Sequence, residues 1–324
     1  MVETVRGDVA PDDLGRVLMH EHLFVLSPEF VANYPEHDGF REDEHIAEAV
    51  RRLHELKAAG IDTIVDPTVI GLGRYIPRVQ RVAAEVDVNI VVATGLYTYN
   101  DVPHYLHFRG PGTILDGEDP LVAMFAGDIR DGIAGTGVKA SFLKCATDEP
   151  GVTPGVERVL RAVAKASLET GAPIMTHTHA ATRRGLEQQE ILASEGVDLS
   201  RVLVGHSGDS ADLDYLTELA DRGSLLGMDR FGLDLMLPFE ERVATVAAMC
   251  ERGYAGSMVL SHDASCYIDW LPAELLPAMA PNWHYLHIVR DVLPALRERG
   301  VSEKDINTML VDNPRRFLAW RDGV

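Results

Sequence analysis

Eight short, β-branched apolar runs, each separated from the next by a longer stretch with helical spacing, constrain this chain more than any other feature. The runs are 17–22, 63–66, 90–94, 138–145, 174–177, 202–206, 225–229 and 258–263. Between them, Ile46, Ala49, Val50, Leu53 and Leu56 recur at a helical period before Gly60. Thr153-Pro154 likewise caps a run carrying Val156, Val159, Leu160 and Val163 that stops at Gly171. Strands that alternate with helices make a parallel sheet. Eight such units in 324 residues fit a closed (β/α)8 TIM barrel, which takes roughly 250 residues plus loops. A doubly wound open sheet is the alternative. The barrel is preferred because the first, fourth, fifth, sixth and eighth runs all carry metal-competent residues at their ends, and only a closed ring gathers those ends at one C-terminal mouth. No repeat, low-complexity segment or linker interrupts residues 1–324, which are read as one α/β domain.

The residues at those ends are His20 and His22, Lys144, His177, His206 and Asp263. If one strand runs through His20 and His22, both imidazoles face the same way. Asp263 joins them as a carboxylate ligand to one divalent ion, and His177 with His206 holds a second. Imidazole and carboxylate suit zinc, cobalt, manganese or iron without choosing among them. Spacing does not decide between His177 and His179, since Thr176-His177-Thr178-His179 offers both. His262 and Asp263 alternate on their strand, so only one faces the mouth. Lys144 shares a face with Val138, Ala140 and Phe142, which points it into the barrel. A lone lysine at a strand end is more often a solvated one. Buried, however, it loses its proton more easily, and an uncharged amine reacts with carbon dioxide to give a carbamate able to bridge two metals. His37, His45 and His54 are read as surface residues.

Thirty basic against fifty acidic residues give a net charge of −20, which disfavours nucleic acid, anionic membranes and polyanionic substrates and leaves a neutral small molecule as the easier ligand. Cys145, Cys250 and Cys266 form no disulfide framework. The first residues carry no apolar signal core, and nowhere do about 18 apolar residues run together as a membrane span requires. The expectation is a soluble, cytoplasmic protein. Two stretches at the barrel mouth are unusually apolar. One holds Tyr97 and Tyr99 after the third strand, the other Tyr267, Ile268, Trp270, Leu271, Leu275, Leu276 and Met279 after the eighth. Such loops either pack on themselves or a subunit, or meet an apolar ligand.

With Met19-His20-Glu21-His22, Lys144, His177, His206 and Ser261-His262-Asp263 in that order, the chain resembles the amidohydrolase superfamily and, within it, the phosphotriesterase family. Thr63-Ile64-Val65-Asp66-Pro67-Thr68-Val69, Gly95-Leu96-Tyr97-Thr98-Tyr99, Asp148-Glu149-Pro150-Gly151, Met228-Asp229-Arg230-Phe231-Gly232 and Ile268-Asp269-Trp270 resemble the phosphotriesterase-like lactonases, in particular the actinobacterial quorum-quenching members. The resemblance implies a hydrolase that opens N-acyl-homoserine lactones with a metal-bridging hydroxide and turns over phosphotriesters weakly. A phosphotriesterase (aryldialkylphosphatase) or carboxylesterase as main activity is the alternative. It implies His20, His22 and Asp263 on the more buried metal, His177 rather than His179 with His206 on the more exposed one, and N6-carboxylated Lys144 bridging both. Tyr97 and Arg230 would act with Asp263 in catalysis. Tyr97, Tyr99, Arg230, Tyr267, Ile268 and Trp270 would contact the substrate, and the working form would be a homodimer.

Overall fold

The computed structural model describes residues 1–35 and 39–323, so His37 lies outside the described residues. Eight parallel strands form one sheet in which each pairs with the next along the chain. They are β1 (Val17–Leu18), β2 (Thr63–Asp66), β3 (Asn89–Gly95), β4 (Phe142–Thr147), β5 (Ile174–Thr178), β6 (Val202–Val204), β7 (Leu225–Met228) and β8 (Met258–Leu260). Just beyond the last strand the ring closes on the first. Asp263 N–H donates to His20 O (2.9 Å) and His22 N–H to Ala264 O (2.8 Å). Eight strands in sequence order with the ends joined make the (β/α)8 barrel.

Successive side chains on a strand point to opposite faces, and in a barrel one face is the inside. Val17, Val65, Val91, Phe142, Met175, Leu203, Leu225 and Val259, one from each strand, meet in an inner cluster. Their neighbours Leu18, Ile64, Ile90, Leu143, Ile174, Val202, Leu226 and Met258 face outward into a second cluster, where the helices cover them. Helix α1 (Glu42–Ala58) buries Ile46, Ala49, Leu53 and Leu56, and α2 (Pro154–Thr170) buries Val156, Val159, Leu160 and Val163. The Thr153 hydroxyl accepts the Val156 N–H at the start of α2, and Gly171 ends it at φ 80°, a conformation that suits glycine. Each fully buried aliphatic side chain contributes about 1.5–3 kcal/mol, so the two layers, rather than any staple, hold the barrel.

Four runs depart from the sequence reading; 202–206 and 258–263 are strands only as far as Val204 and Leu260, so His206, His262 and Asp263 lie beyond their strands, and the other two depart further. The run 17–22 is not one strand: the chain bends at Met19 to Glu21, and His22–Val25 pairs in parallel with Ser265–Ile268 above the ring. The run 138–145 becomes a strand only at Phe142. Val138 and Ala140 sit in the outer cluster, so the inward face shared with Lys144 begins at Phe142.

Candidate metal centre

The mouth of the barrel gathers six polar side chains from five strand ends. His20 and His22 straddle the bend after β1, their ring centroids 5.4 Å apart, and their Nε2 atoms lie 3.2 Å and 3.1 Å from the same Asp263 Oδ1. Lys144 projects from the middle of β4, only 1 % exposed, with Nζ 3.4 Å from His20 Nε2. His177 on β5 and His206 just past β6 bring their rings to 4.5 Å. His206 (φ 60°) and Asp263 (φ 56°) are non-glycine residues in the left-handed region, a conformation that persists only where surrounding bonds impose it.

Every ring has one nitrogen engaged by the protein and the other facing the centre. His20 Nδ1 donates to Asp229 Oδ2 (2.8 Å) and His206 Nδ1 to Asp229 Oδ1 (3.0 Å). His22 Nδ1 donates to the Thr68 hydroxyl (2.7 Å), which donates in turn to Asp66 Oδ1 (2.5 Å). His177 is turned the other way: Nε2 donates to Asp148 Oδ2 (2.5 Å), so Nδ1 faces inward, 3.3 Å from the Tyr97 hydroxyl. This is the arrangement that fixes imidazoles for metal binding. Donor atoms of His20, His22 and Asp263 all lie within 4.8 Å of one another, as do those of His20, His206 and Asp229. The first set fits an ion, because ligands at about 2.1 Å around one centre stand roughly 3.0–3.4 Å apart. The second is joined by hydrogen bonds of 2.8–3.0 Å, so Asp229 supports the rings rather than completing a metal site.

The electrostatics follow from burial. Burial, with the Lys144 charge, holds the His20 imidazole below its ordinary value, and burial takes His177 down to about 4 despite Asp148. His22 escapes: burial lowers it, but the carboxylates of Asp263 (3.1 Å) and Asp66 (3.5 Å) outweigh this and raise it to about 9 in the metal-free chain. Burial pushes Lys144 down to about 8. Burial would raise Asp263, yet the charges of His20, His206 and Arg230 hold it well below the usual carboxylate range. Arg230 donates through Nε to Asp263 Oδ2 (2.9 Å) and through Nη1 to Asp209 Oδ2 (3.0 Å). Asp209 is anchored by the buried Arg242 (2.7 Å).

Above this group lies a cavity of about 320 Å³. The histidines, Lys144 and Asp263 form its polar part, and Leu72, Ile268, Trp270, Leu271 and Trp283 line the apolar part. The residue pattern of the phosphotriesterase family matches residues 1–318. The chain belongs to that family.

Relatives bear the same assignment. A protein of Mycobacterium tuberculosis named phosphotriesterase homology protein is 63% identical over 99% of this chain and 98% of its own. An aryldialkylphosphatase of Saccharolobus solfataricus is 42% identical over 97% of this chain and 98% of its own. The solved structure of the phosphotriesterase from Mycobacterium tuberculosis superposes with a TM-score of 0.96 at 63% identity, covering 98% of each chain. The protein is thus a phosphotriesterase-family hydrolase with candidate His/Asp metal-binding groups. Among the described residues no helix is long and apolar enough to cross a membrane.

Within this phosphotriesterase-family site, the structure brings His20, His22, Lys144, His177, His206 and Asp263 together and sets Tyr97, Tyr99, Arg230, Ile268 and Trp270 around the cavity. It places Tyr267 elsewhere. As the strand neighbour of Ile268, Tyr267 points the opposite way and packs on His45 (4.3 Å). His179 also turns aside, its Nδ1 on the Thr182 hydroxyl (2.8 Å). His262 faces away from the cavity, its Nδ1 bound to Glu21 (2.5 Å) while its Nε2 accepts the Ile288 N–H (2.8 Å). Ligand counting missed Asp229, Glu21, Asp148 and Trp283. Only Asp229 carried a signal, an acid at a strand end two residues after Gly227.

Proposed function

We propose that this protein hydrolyses lactones, N-acyl-homoserine lactones foremost, using two divalent ions and a carboxylated Lys144, with weak activity on phosphotriesters. The observation that carries the reading is the two-sided cavity: a polar floor that suits a lactone ring, next to the apolar wall of Ile268, Trp270, Leu271 and Trp283 that suits an acyl chain. His20, His22 and Asp263 would hold one ion, His177 and His206 the other, and the carbamate on Lys144 would join them. The ions would be zinc, cobalt, manganese or iron. When bound they supply Lewis acidity, which polarises a carbonyl and lowers the pKa of water toward about 7.

The chain's own residues do the rest. Burial, and the neighbouring Tyr99 hydroxyl, hold the Tyr97 phenol well above its usual value, so it stays protonated and donates a hydrogen bond toward the reacting oxygens. Asp263 takes the proton released at the nucleophile and returns it to the leaving alkoxide, with Arg230 fixing its carboxylate. The apolar wall excludes water and aligns the acyl chain, each buried methylene adding up to about 0.8 kcal/mol. The product of ring opening is an N-acyl-homoserine, and the working form is a homodimer.

The test is proton release from a chain-length series of N-acyl-homoserine lactones by protein loaded with cobalt or zinc in bicarbonate, with Lys144→Ala as control. Turnover that grows with chain length and vanishes in the variant is expected. No turnover by fully metallated protein would overturn the reading. A phosphotriester main activity is the second reading, favoured by the 42% identical aryldialkylphosphatase. It predicts that paraoxon-type esters outrun every lactone in the same assay.

A further inference from the structure

We infer that Asp229 is the positioning residue that sets the tautomers of His20 and His206 together, and that its two oxygens serve them unequally, so that converting it to an amide disables the His20 position alone. The inference rests on the ligand assignment proposed above. Asp229 follows β7, is fully buried and lies between the ends of β1 and β6. A carboxylate only accepts hydrogen bonds. Its contacts with both Nδ1 atoms therefore require a proton on each, which leaves each Nε2 with the lone pair a metal needs. One buried anion thus prepares a ligand for each of two ions.

The cradle is built around that carboxylate. A Cβ on Gly227 would stand 2.4 Å from Asp229 Oδ2 and 2.8 Å from its Cγ. A Cβ on Gly205 would stand 3.4 Å from the same oxygen and 2.1 Å from the Thr176 carbonyl. Glycine at 227 keeps open the space in which Oδ2 reaches His20.

The asymmetry lies in the donors. Among the described residues, Oδ1 accepts both the His206 ring N–H (3.0 Å) and the His206 backbone N–H (2.8 Å), whereas Oδ2 accepts only the His20 ring N–H (2.8 Å). A backbone N–H cannot become an acceptor, but an imidazole can exchange tautomers. In Asp229→Asn the amide oxygen therefore stays on His206 and the NH2 turns toward His20 Nδ1. His20 Nδ1 must then accept, its proton moves to Nε2, and Nε2 no longer ligates. His206 is unaffected.

Three readouts test this without reference to turnover. In metal-free wild-type protein with ¹⁵N-labelled histidine, long-range ¹H–¹⁵N correlation is expected to show the Nδ1–H tautomer for both His20 and His206; Nε2–H at either overturns the proposal. Wild type loaded with ¹¹³Cd is expected to give two resonances, one coupled to His22 ring protons and one to those of His206. In Asp229→Asn the His22-coupled resonance is lost or its site weakened by about 10- to 100-fold, the range usual for a removed ligand support, while the other persists. Gly227→Ala keeps the charge and crowds the carboxylate from the Oδ2 side, with its Cβ 2.4 Å from Oδ2 and 2.8 Å from Cγ, so it is expected to weaken the His22-coupled site more than the His206-coupled one; if Asp229→Asn does not fold, this variant and the metal-free wild-type spectrum decide. Two full-affinity sites in both variants, or equal loss of both, would overturn the inference. Wild type that never binds two ions overturns the ligand assignment instead, and the metal-free spectrum still decides the tautomers.

Discussion

Each imidazole at the mouth is specified by what holds its outward nitrogen, and that local pairing separates candidate ligands from histidines that merely lie nearby. His177 and His179 are two residues apart on one segment, yet Asp148 turns the first inward while Thr182 holds the second outside. His177→Ala is accordingly expected to lose activity by about a hundredfold or more, and His179→Ala to stay within about twofold, measured as kcat/KM at saturating metal. Lys144 makes a different prediction. Because burial brings it to about 8, its neutral form increases about tenfold between pH 7 and pH 9 and then levels off, whereas an ordinary lysine would keep rising past pH 10. The rate at which metal-free protein forms the Lys144 carbamate at constant dissolved ¹³C-labelled carbon dioxide, read by ¹³C NMR, is expected to follow that curve. A rate still climbing steeply between pH 9 and pH 10 would show that Lys144 is not lowered in this way.

At the level of the element, the eight strands and the helices between them could be read from the sequence because apolar period and turn chemistry are local properties. The strand ends could not. Nothing in Met19-His20-Glu21 marks a bend: no glycine or proline interrupts it, and the turn is imposed by Glu21. Its carboxylate accepts from the Ser261 hydroxyl (2.8 Å), the His262 N–H (3.0 Å) and the Ala264 N–H (3.1 Å) on the neighbouring segment after β8, across the ring closure. Val138 and Ala140 look like members of the Lys144 face for the same reason, that alternation says nothing about where a strand begins. The candidate ligands were legible because their chemistry is rare; of their supports, Asp148 and Thr68 were not, because an acid or hydroxyl in a loop is common, and Asp229 showed only as an acid at a strand end. One strand end has a measurable requirement. Gly95, at φ 147° beside β4, would put a Cβ 1.9 Å from the Lys144 carbonyl oxygen. Gly95→Ala is expected to destabilise the fold by about 3 kcal/mol or more and to lower metal content, read by denaturant unfolding and elemental analysis.

Across the whole molecule, metal affinity and fold stability are linked, because the ligands come from strands that a folded ring alone brings together. An ion present at about a thousandfold over its Kd stabilises by about 4 kcal/mol, which for a domain of this length raises Tm by roughly 6 °C. Chelator-treated protein is expected to melt lower by about that much and to recover on adding back zinc or cobalt, as followed by calorimetry. The ring closes where Asp263 meets His20 and His22, residues 241 positions apart in the case of His22. During synthesis, therefore, the first two histidines leave the ribosome long before their carboxylate partner exists. A growing chain can offer a passing ion two imidazoles but no finished pocket. Metal loading is thereby deferred until synthesis has passed Asp263, and a product cut short before it has no complete site in which to retain an ion.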